Sequence, residues 1–553
     1  MNPSSLLFRK LCRKLSESAR GVLTGWAARF TTSRRPKARS NFAPASWTAP
    51  VLWRFSRTTS TLFRANLGSP AILLVSLLTG CKVGPDYHRP SPIARAPIPP
   101  SFSTSTNAAA WTLASPAARM PHGAWWELFH DAELDRLESQ ADTSNQDIAA
   151  AVARFDEARA LVNLNRAEFF PQAELDPNYL RQRTSFNEPQ NGQAALNAHT
   201  FNTFSLELQA GWEADLWGRI RRNVEASRAR LSATADDLES IRLATQAEVA
   251  SDYFSLRALD AEHDLIQRTM EAYQRSLELT INRRKGGIAT DLDVAQAQTQ
   301  LRTTEAELPA IDLQRRKLSH AIAVLCGAPA TGFALQNANA ESSEPPLIPI
   351  SVPSALLERR PDIAAAEQRM AGANAEIGVA QAAFYPRLRL NGLAGLQSVD
   401  AATWFDWPSR LWAVGPTLQL PLFTGGRNTA GLALARASYN ETVAVYRKTV
   451  LTGFQEVEDQ LAAQRLLGQQ LEAEASALTA AQRTLDIAKN RYKAGLVTYL
   501  EVAAAQSSAL NLERTVVQLR GEKLVASVAL VKALGGGWEQ GTRRANSSAT
   551  PSQ

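Results

Sequence analysis

Little in this chain could carry out a reaction. The six histidines, His88, His122, His130, His199, His263 and His320, are scattered, with no HExxH pair and no Cys/His cluster at metal spacing. There is no GxSxG elbow, no Walker loop and no GxGxxG after a strand-like run. Gly535-Gly536-Gly537 follows a helical pattern instead of opening one, which suits a helix cap. Four methionines are too few for a thioether-lined copper path. Catalysis, a metal and a cofactor are therefore not expected. One side chain is placed for covalent chemistry: the thiol of Cys81, which closes the run Leu78-Thr79-Gly80-Cys81 behind an apolar stretch.

The residues around that thiol say what the chemistry would be. Arg54, Arg57 and Arg64 precede Ala71-Ile72-Leu73-Leu74-Val75-Ser76-Leu77-Leu78, a positive region followed by a short apolar one, as in an export signal over about residues 54–80. The apolar run is shorter than the roughly 20 residues that cross a bilayer as a helix. Leu78, Thr79, Gly80 and Cys81 resemble a bacterial lipobox, in which the cysteine becomes the acylated first residue of the mature protein. Lys82 follows in place of the Asp that favours inner-membrane retention, which points to the outer membrane. Residues 1–50 fit no signal, and initiation is expected near Val51 or Leu52. The leader, 1–80, holds thirteen Lys and Arg against the single acid Glu17, so without it the formal +7 of the 553-residue chain becomes about −5. Nucleic acid is not an expected partner. An acylated Cys81 cannot pair with Cys326, so no internal disulfide is expected, and Cys326 reads as a small apolar residue at a helix end.

The elements that must carry any function occur twice. Asp147-Ile148-Ala149-Ala150-Ala151 returns as Asp362-Ile363-Ala364-Ala365-Ala366, and Phe169-Phe170-Pro171 as Phe384-Tyr385-Pro386, at a common offset of 215. The segment Asn282 to Ala295 returns as Asn490 to Ala503 at an offset of 208, a net deletion of seven residues in the second copy. Each copy reads helix, strand, strand, very long helix, turn, helix. Residues 81–124 are expected to be a lipidated tether, 125–330 and 331–538 the two repeats, and 539–553 a disordered tail. Between Gly218 and Gly286 there are 67 residues without Gly or Pro. As one helix they would reach about 100 Å at ~1.5 Å per residue, too long for one globular core, so such rods must pack lengthwise. Lys285-Gly286-Gly287 and Lys493-Ala494-Gly495 supply the stops, a cation for the helix dipole and a glycine for the left-handed turn. Pro309 is expected to kink the first return helix.

Strand signals lie between the helices of each copy. Phe204, Leu206, Leu208, Ala210 and Trp212 alternate with Ser205, Glu207, Gln209, Gly211 and Glu213. Trp412, Val414, Leu418, Leu420 and Leu422 alternate with Ala413, Gly415, Thr417 and Gln419. Weaker alternation follows Pro171 (Ala173, Leu175, Tyr179) and Pro386 (Leu388, Leu390, Ala394). These lengths approach the roughly 9–11 residues of a tilted transmembrane strand. Four strands cannot close a barrel, and an open edge is not tolerated in lipid, so a spanning sheet needs several chains. Three would give twelve strands and gather six long hairpins into a tube. Alternation alone would sooner suit a soluble sheet over a core; the sum of strands and rods favours a mainly α fold with transmembrane β.

Several motifs, in order, resemble the outer-membrane factor family, the TolC-like channels, in its NodT/OprM/CusC-type lipoprotein branch serving RND efflux pumps. They are Cys81-Lys82-Val83-Gly84-Pro85-Asp86-Tyr87 through Pro90, Trp125-Trp126-Glu127-Leu128-Phe129, Asp215-Leu216-Trp217-Gly218-Arg219, Arg359-Arg360-Pro361-Asp362-Ile363, Phe384-Tyr385-Pro386 and Ala533-Leu534-Gly535-Gly536-Gly537-Trp538. The resemblance implies a homotrimer in outer-membrane lipid, a trimeric 12-stranded outer-membrane barrel continued by a periplasmic α-helical barrel, whose hairpin tips, at Gly286, Gly287 and Gly495, meet a periplasmic adaptor fed by an inner-membrane RND transporter. It also implies a ring of axial acids near the tips, for which Asp293 and Glu501 are the candidates; Ala504 stands where the family commonly has a further Asp. Two readings compete with an efflux duct: a poreless lipid-anchored coiled-coil spacer of the envelope, which would have no use for the strands, and a TolC-like protein secretion duct. A periplasmic adaptor, with one hairpin between β-rich halves, and an enzyme fit less well.

Overall fold

The long Gly- and Pro-free run folds as one helix, and so does its counterpart, as the computed structural model shows. It describes residues 82–94, 97–99, 102, 124–185, 200–333, 335, 346, 348 and 359–536. The leader 1–80 with Leu78, Thr79 and Gly80, Cys81, most of the expected tether, Gly537-Trp538 and the tail 539–553 lie outside the described residues.

A 3-10 turn at Trp125–Phe129 leads into α1 (Ala132–Ser144) and α2 (Gln146–Ala167). Strands β1 (Gln172–Arg183) and β2 (Thr200–Ala214) follow, then α3 (Arg219–Lys285), α4 (Asp291–Glu305) and α5 (Leu308–Leu325). Further on come α6 (Pro361–Ala382), β3 (Arg387–Ser398), β4 (Arg410–Gln419), α7 (Arg427–Lys493) and α8 (Tyr499–Ala533). By their contacts the described residues from Val83 to Asp215 and from Arg219 onward form one compact unit, to which the descriptions below apply.

Polar side chains start the helices. Asp131 accepts from the Glu133 and Leu134 amides to cap α1. Asn145 accepts from Asp147 and Ile148 to cap α2 and donates its own amide to the Leu325 carbonyl at 2.8 Å, fastening α2 to the end of α5. Asp215 accepts from the Ile220 and Arg221 amides at the head of α3. Each of α3 and α7 is 67 residues long, about 100 Å at ~1.5 Å per residue. The main core sits halfway along them. Trp125, Trp126 and Phe129 pack there against Tyr253 and Phe254 of α3, Val457 and Leu461 of α7, and Val528 and Val531 of α8. Trp125 donates to Gln246 at 3.2 Å, and the Tyr253 hydroxyl to Asp131 at 2.6 Å, so both aromatics keep a partner while buried. Cys326 is fully buried at the C-cap of α5.

Two local expectations need correction. Pro309 does more than kink the return helix: α4 stops at Glu305 and α5 restarts at Leu308, with Pro309 in its first turn. In the second copy the matching residue is Val517, and α8 runs unbroken for 35 residues. The fourth strand ends at Gln419, so Leu420 and Leu422 are not on its face; Pro421 has no amide for the ladder, and Gly425 and Gly426 turn the chain at φ 59° and 85°.

The strands form one antiparallel meander in the order β1-β2-β3-β4. Among the described residues both outer strands leave one edge without a partner.

Candidate pore wall and helical tips

The register decides what each face of the sheet is made of. Leu175 lies opposite Leu208, which lies opposite Ala394, which lies opposite Trp412. Tyr179 meets Phe204, and Trp212 meets Leu390 and then Pro416. Cross-strand partners point the same way, so these side chains share one face. The other face carries Glu174, Asp176, Asn178, Glu207, Gln209, Glu213, Arg389, Asn391 and Thr417. The alternation read along single strands is thus continuous across all four. The apolar face is uncovered in the chain: Trp412 and Val414 are each 77% exposed, and β1 is exposed throughout. On the polar side an open trough of about 1190 Å³ is bounded by Glu168, Glu174, Gln209, Arg219, Asn391 and Thr417.

At the helix end of the sheet, ion pairs set how strand leads into helix. Arg219 holds Glu168 and Glu213, each at 2.9 Å, and Glu213 also faces Arg389 at 3.7 Å. Trp212 donates to the Phe169 carbonyl at 2.8 Å, which ties β2 to the turn that opens β1. The Phe169-Phe170-Pro171 motif is thereby a corner between helix and strand.

Val83–Ser91, at the head of the expected tether, is pinned along the helices. Arg222 is fully buried and donates to the carbonyls of Val83, Gly84 and Pro85 at 3.0–3.1 Å. Asn374 of α6 donates to the same Pro85 carbonyl. Gly84 adopts φ 104°, and a Cβ there would stand 2.5 Å from the Gly378 Cα, so only glycine lets the strap lie flat on α6. Further along, Arg89 pairs with Glu367 at 3.0 Å and bonds the Tyr446 hydroxyl.

At the far ends of the helices both tips form the same turn. Gly287 and Gly495 sit at φ 76° and 77°. The next residue of each donates back five positions, Ile288 to the Arg283 carbonyl and Leu496 to the Arg491 carbonyl. Gly286 ends α3 in the same turn. The two tips are tied to each other within the chain. Arg283 donates to the Lys493 carbonyl at 2.9 Å and lies over the Tyr492 ring at 4.7 Å, while Tyr492 and Tyr499 meet edge to face.

The two candidate acids occupy matching positions and do different things. Asp293 closes a capping box with Thr290, accepting from its amide and hydroxyl, and also accepts from the Tyr499 amide of the other tip. Burial alone would raise its carboxyl, but these hydrogen bonds hold it below the ordinary carboxylate value. Glu501 makes no such cap; it is 54% exposed, with Arg491 at 3.8 Å. Arg222 and Arg283 went unnoticed in the sequence. Arg283 could have been found from the repeat, since Arg491 stands 208 residues later.

Among the described residues no cluster of His, Cys, Asp and Glu could hold a metal, and no helix is long and apolar enough to cross a membrane. A sheet with one apolar and one polar face, continuous with helical hairpins, is the architecture of a channel. The family model for outer membrane efflux proteins matches residues 137–328 and 352–536, and the chain belongs to that family. It is 30% identical over 463 residues to the cation efflux system protein CusC of Escherichia coli O6:H1, covering 84% of this chain and 97% of that one. It is 31% identical over 476 residues to the probable efflux pump outer membrane protein TtgC of Pseudomonas putida, covering 86% and 96%. The solved outer-membrane channel OprN superposes with a TM-score of 0.76 at 28% identity, over 83% of this chain and 100% of that one. The protein is an outer-membrane efflux channel, and the poreless spacer is not favoured. Its family consists of channel and transport proteins, not enzymes.

Proposed function

We propose that three copies of this chain close their sheets into a 12-stranded barrel in the outer membrane, with the six long hairpins forming a periplasmic tunnel beneath it. The duct is the passive exit of a tripartite pump: an inner-membrane RND transporter delivers small molecules through a periplasmic adaptor that meets the tips at Gly286, Gly287 and Gly495. Cys81 is acylated and anchors the mature chain, 81–553, whose repeats run over 125–330 and 331–538.

The observation that carries this reading is the sheet: its faces suit lipid and water, and its two edges are free. A free edge costs several kcal/mol per unpaired backbone group in hydrocarbon, so β4 of one copy must pair with β1 of the next. The open flank of α7 supports the same assembly, with Leu434 72% exposed and Leu451 and Leu466 each 54% exposed. Near the tips Glu501 is the acid free to face the axis and attract cations, whereas the Asp293 carboxylate serves the cap.

Native mass spectrometry of the detergent-extracted mature protein is the test. Three chains beginning at an acylated Cys81 are expected. A monomer would leave the sheet with open edges and defeat the shared barrel.

A further inference from the structure

On the apolar face of the sheet all three charges are arginines, and all stand at one end. Alternation sends Arg181 and Arg183 of β1 to the side of Ala173, Leu175 and Tyr179, and Arg410 of β4 to the side of Trp412 and Val414. Each of the three is exposed. This is the end remote from the helices, because β1 leaves α2 at Gln172 and finishes at Arg183, while β4 starts at Arg410. The same face carries no acid along any strand, whereas the polar face carries Glu174, Asp176, Glu207 and Glu213. The acids of the adjoining turn, Asp400 and Asp406, stand at the N-caps of its two short 3-10 turns.

Aromatic rings underlie the arginines. Tyr179 and Phe204 stack at 4.8 Å, Trp404 joins Phe204 at 5.6 Å, and the Arg410 guanidinium lies 3.2 Å from the Trp407 ring centre. Along β2 the face runs from Ala214 to Phe204, ten residues or about 33 Å at ~3.3 Å per residue, and about 25 Å of membrane thickness at a tilt of ~40°. Arg181 lies beyond Phe204, and Arg410 is level with Leu206 through Leu396. Arg181 and Arg183 therefore stand just past that span, and Arg410, one row inside its end, lays its guanidinium on Trp407 of the preceding turn, so the cations gather where hydrocarbon gives way to headgroups.

We propose that this arginine rim binds the phosphate-bearing headgroups of lipids in the outer leaflet of the outer membrane. The proposal rests on the barrel described under Proposed function, in which β4 of one copy neighbours β1 of the next and so sets the strand carrying Arg410 next to the strand carrying Arg181 and Arg183 at each seam. Guanidinium is the group suited to this, since its planar fork engages phosphate oxygens in pairs and stacks on rings without losing its charge. The apolar face below takes the acyl chains, so the ligand is a whole lipid and not a free anion.

The trimer, reconstituted in phosphatidylcholine vesicles with 10% bis-phosphorylated lipid A, is extracted, and the retained lipid A is counted by native mass spectrometry. The wild type is expected to retain it at least tenfold better than the Arg181→Gln/Arg183→Gln/Arg410→Gln variant, and better than dephosphorylated lipid A to a similar degree. Inorganic phosphate at 10 mM should not displace it, and the corresponding lysine variant, which keeps the charge but loses the fork, should fall between wild type and the glutamine variant. Equal retention by the glutamine variant, equal retention of the dephosphorylated lipid, displacement by inorganic phosphate, or a lysine variant no better than the glutamine one would each overturn the proposal. A fluorophore on Val414→Cys, with brominated acyl chains as quencher, separates this from failure of the barrel: an unquenched probe removes the lipid-facing sheet itself, whereas a quenched probe without lipid A retention removes the rim alone.

Discussion

Helices α3 and α7 have the same length and end in the same turn, but α3 buries 21 of its residues within the chain and α7 only eight. The first lies among α1, α2, α4, α5, α6 and α8; the second is covered mainly by α6 and α8. The same inequality holds at the tips, where Asp293 is consumed by a cap and its counterpart Glu501 is exposed. Two copies of one unit have thus been divided between roles. One builds the chain's own core, and the other keeps a flank and a carboxylate available to what lies outside the chain.

That division can be broken most heavily in the core. Phe254→Ala empties a fully buried site on α3 and should cost about 3–5 kcal/mol, read as a fall in melting temperature by circular dichroism in detergent. Leu451→Ala on the open flank of α7 should leave the separated chain unchanged and weaken the proposed trimer; equal losses for the two would dissolve the distinction.

Glu138, on the helix α1 that packs against α3, tests the buried side through pH. Burial, with Asp142 and Asp135 adding to it, pushes its carboxyl up from 4.5 to about 9. Between those values the folded protein holds a proton that the unfolded chain has released, so stability falls as pH rises through this window and falls no further above it. Glu138→Gln should therefore raise stability at pH 8 by on the order of 1–3 kcal/mol, with the gain shrinking toward pH 4. A pH-independent difference would count against the buried proton.

Arg283→Ala cuts the tie between the tips, a hydrogen bond and a cation over an aromatic ring together worth about 1–2 kcal/mol. Spin labels on Ile288→Cys and Leu496→Cys should report a broader distance distribution between the hairpins. An unchanged distribution would mean the tips are held by something else.

The matched acids sharpen the comparison further. Asp293→Ala should cost about 1 kcal/mol of local helix stability, as loss of a cap does, and leave ion selectivity alone. Because its carboxyl is held low, the cap persists at neutral pH and is lost only as pH falls below the ordinary carboxylate range. Glu501→Ala should do the reverse, lowering cation selectivity in a planar bilayer without loss of stability; unchanged conductance and selectivity would end its candidacy at the aperture.

The smallest effect belongs to Gly468, inside α7 with nothing near an added Cβ. Gly468→Ala should stabilise by about 0.5–1 kcal/mol. Destabilisation of the trimer alone would place a neighbouring copy against that glycine.

Much of this was legible because its causes are local. A run without Gly or Pro makes a long helix, Lys followed by Gly ends one, and period-two alternation makes a strand whose faces differ. Strand limits were less legible where the deciding residue lay outside the alternating pattern, as Pro421 does beyond β4. The capping box was written in Thr290 and Asp293, three residues apart, a spacing easily passed over beside the charge of the acid. Arg222 was not legible at all: nothing in a helical stretch announces that carbonyls 137–139 residues upstream will arrive to use it.

The free edges of β1 and β4 also constrain the time course of biogenesis. A lone chain cannot lower its sheet into hydrocarbon without stranding two rows of backbone donors and acceptors there. In the proposed shared barrel the encounter of chains must therefore precede or accompany insertion, and the rate of membrane entry should rise more steeply than linearly with the local density of chains.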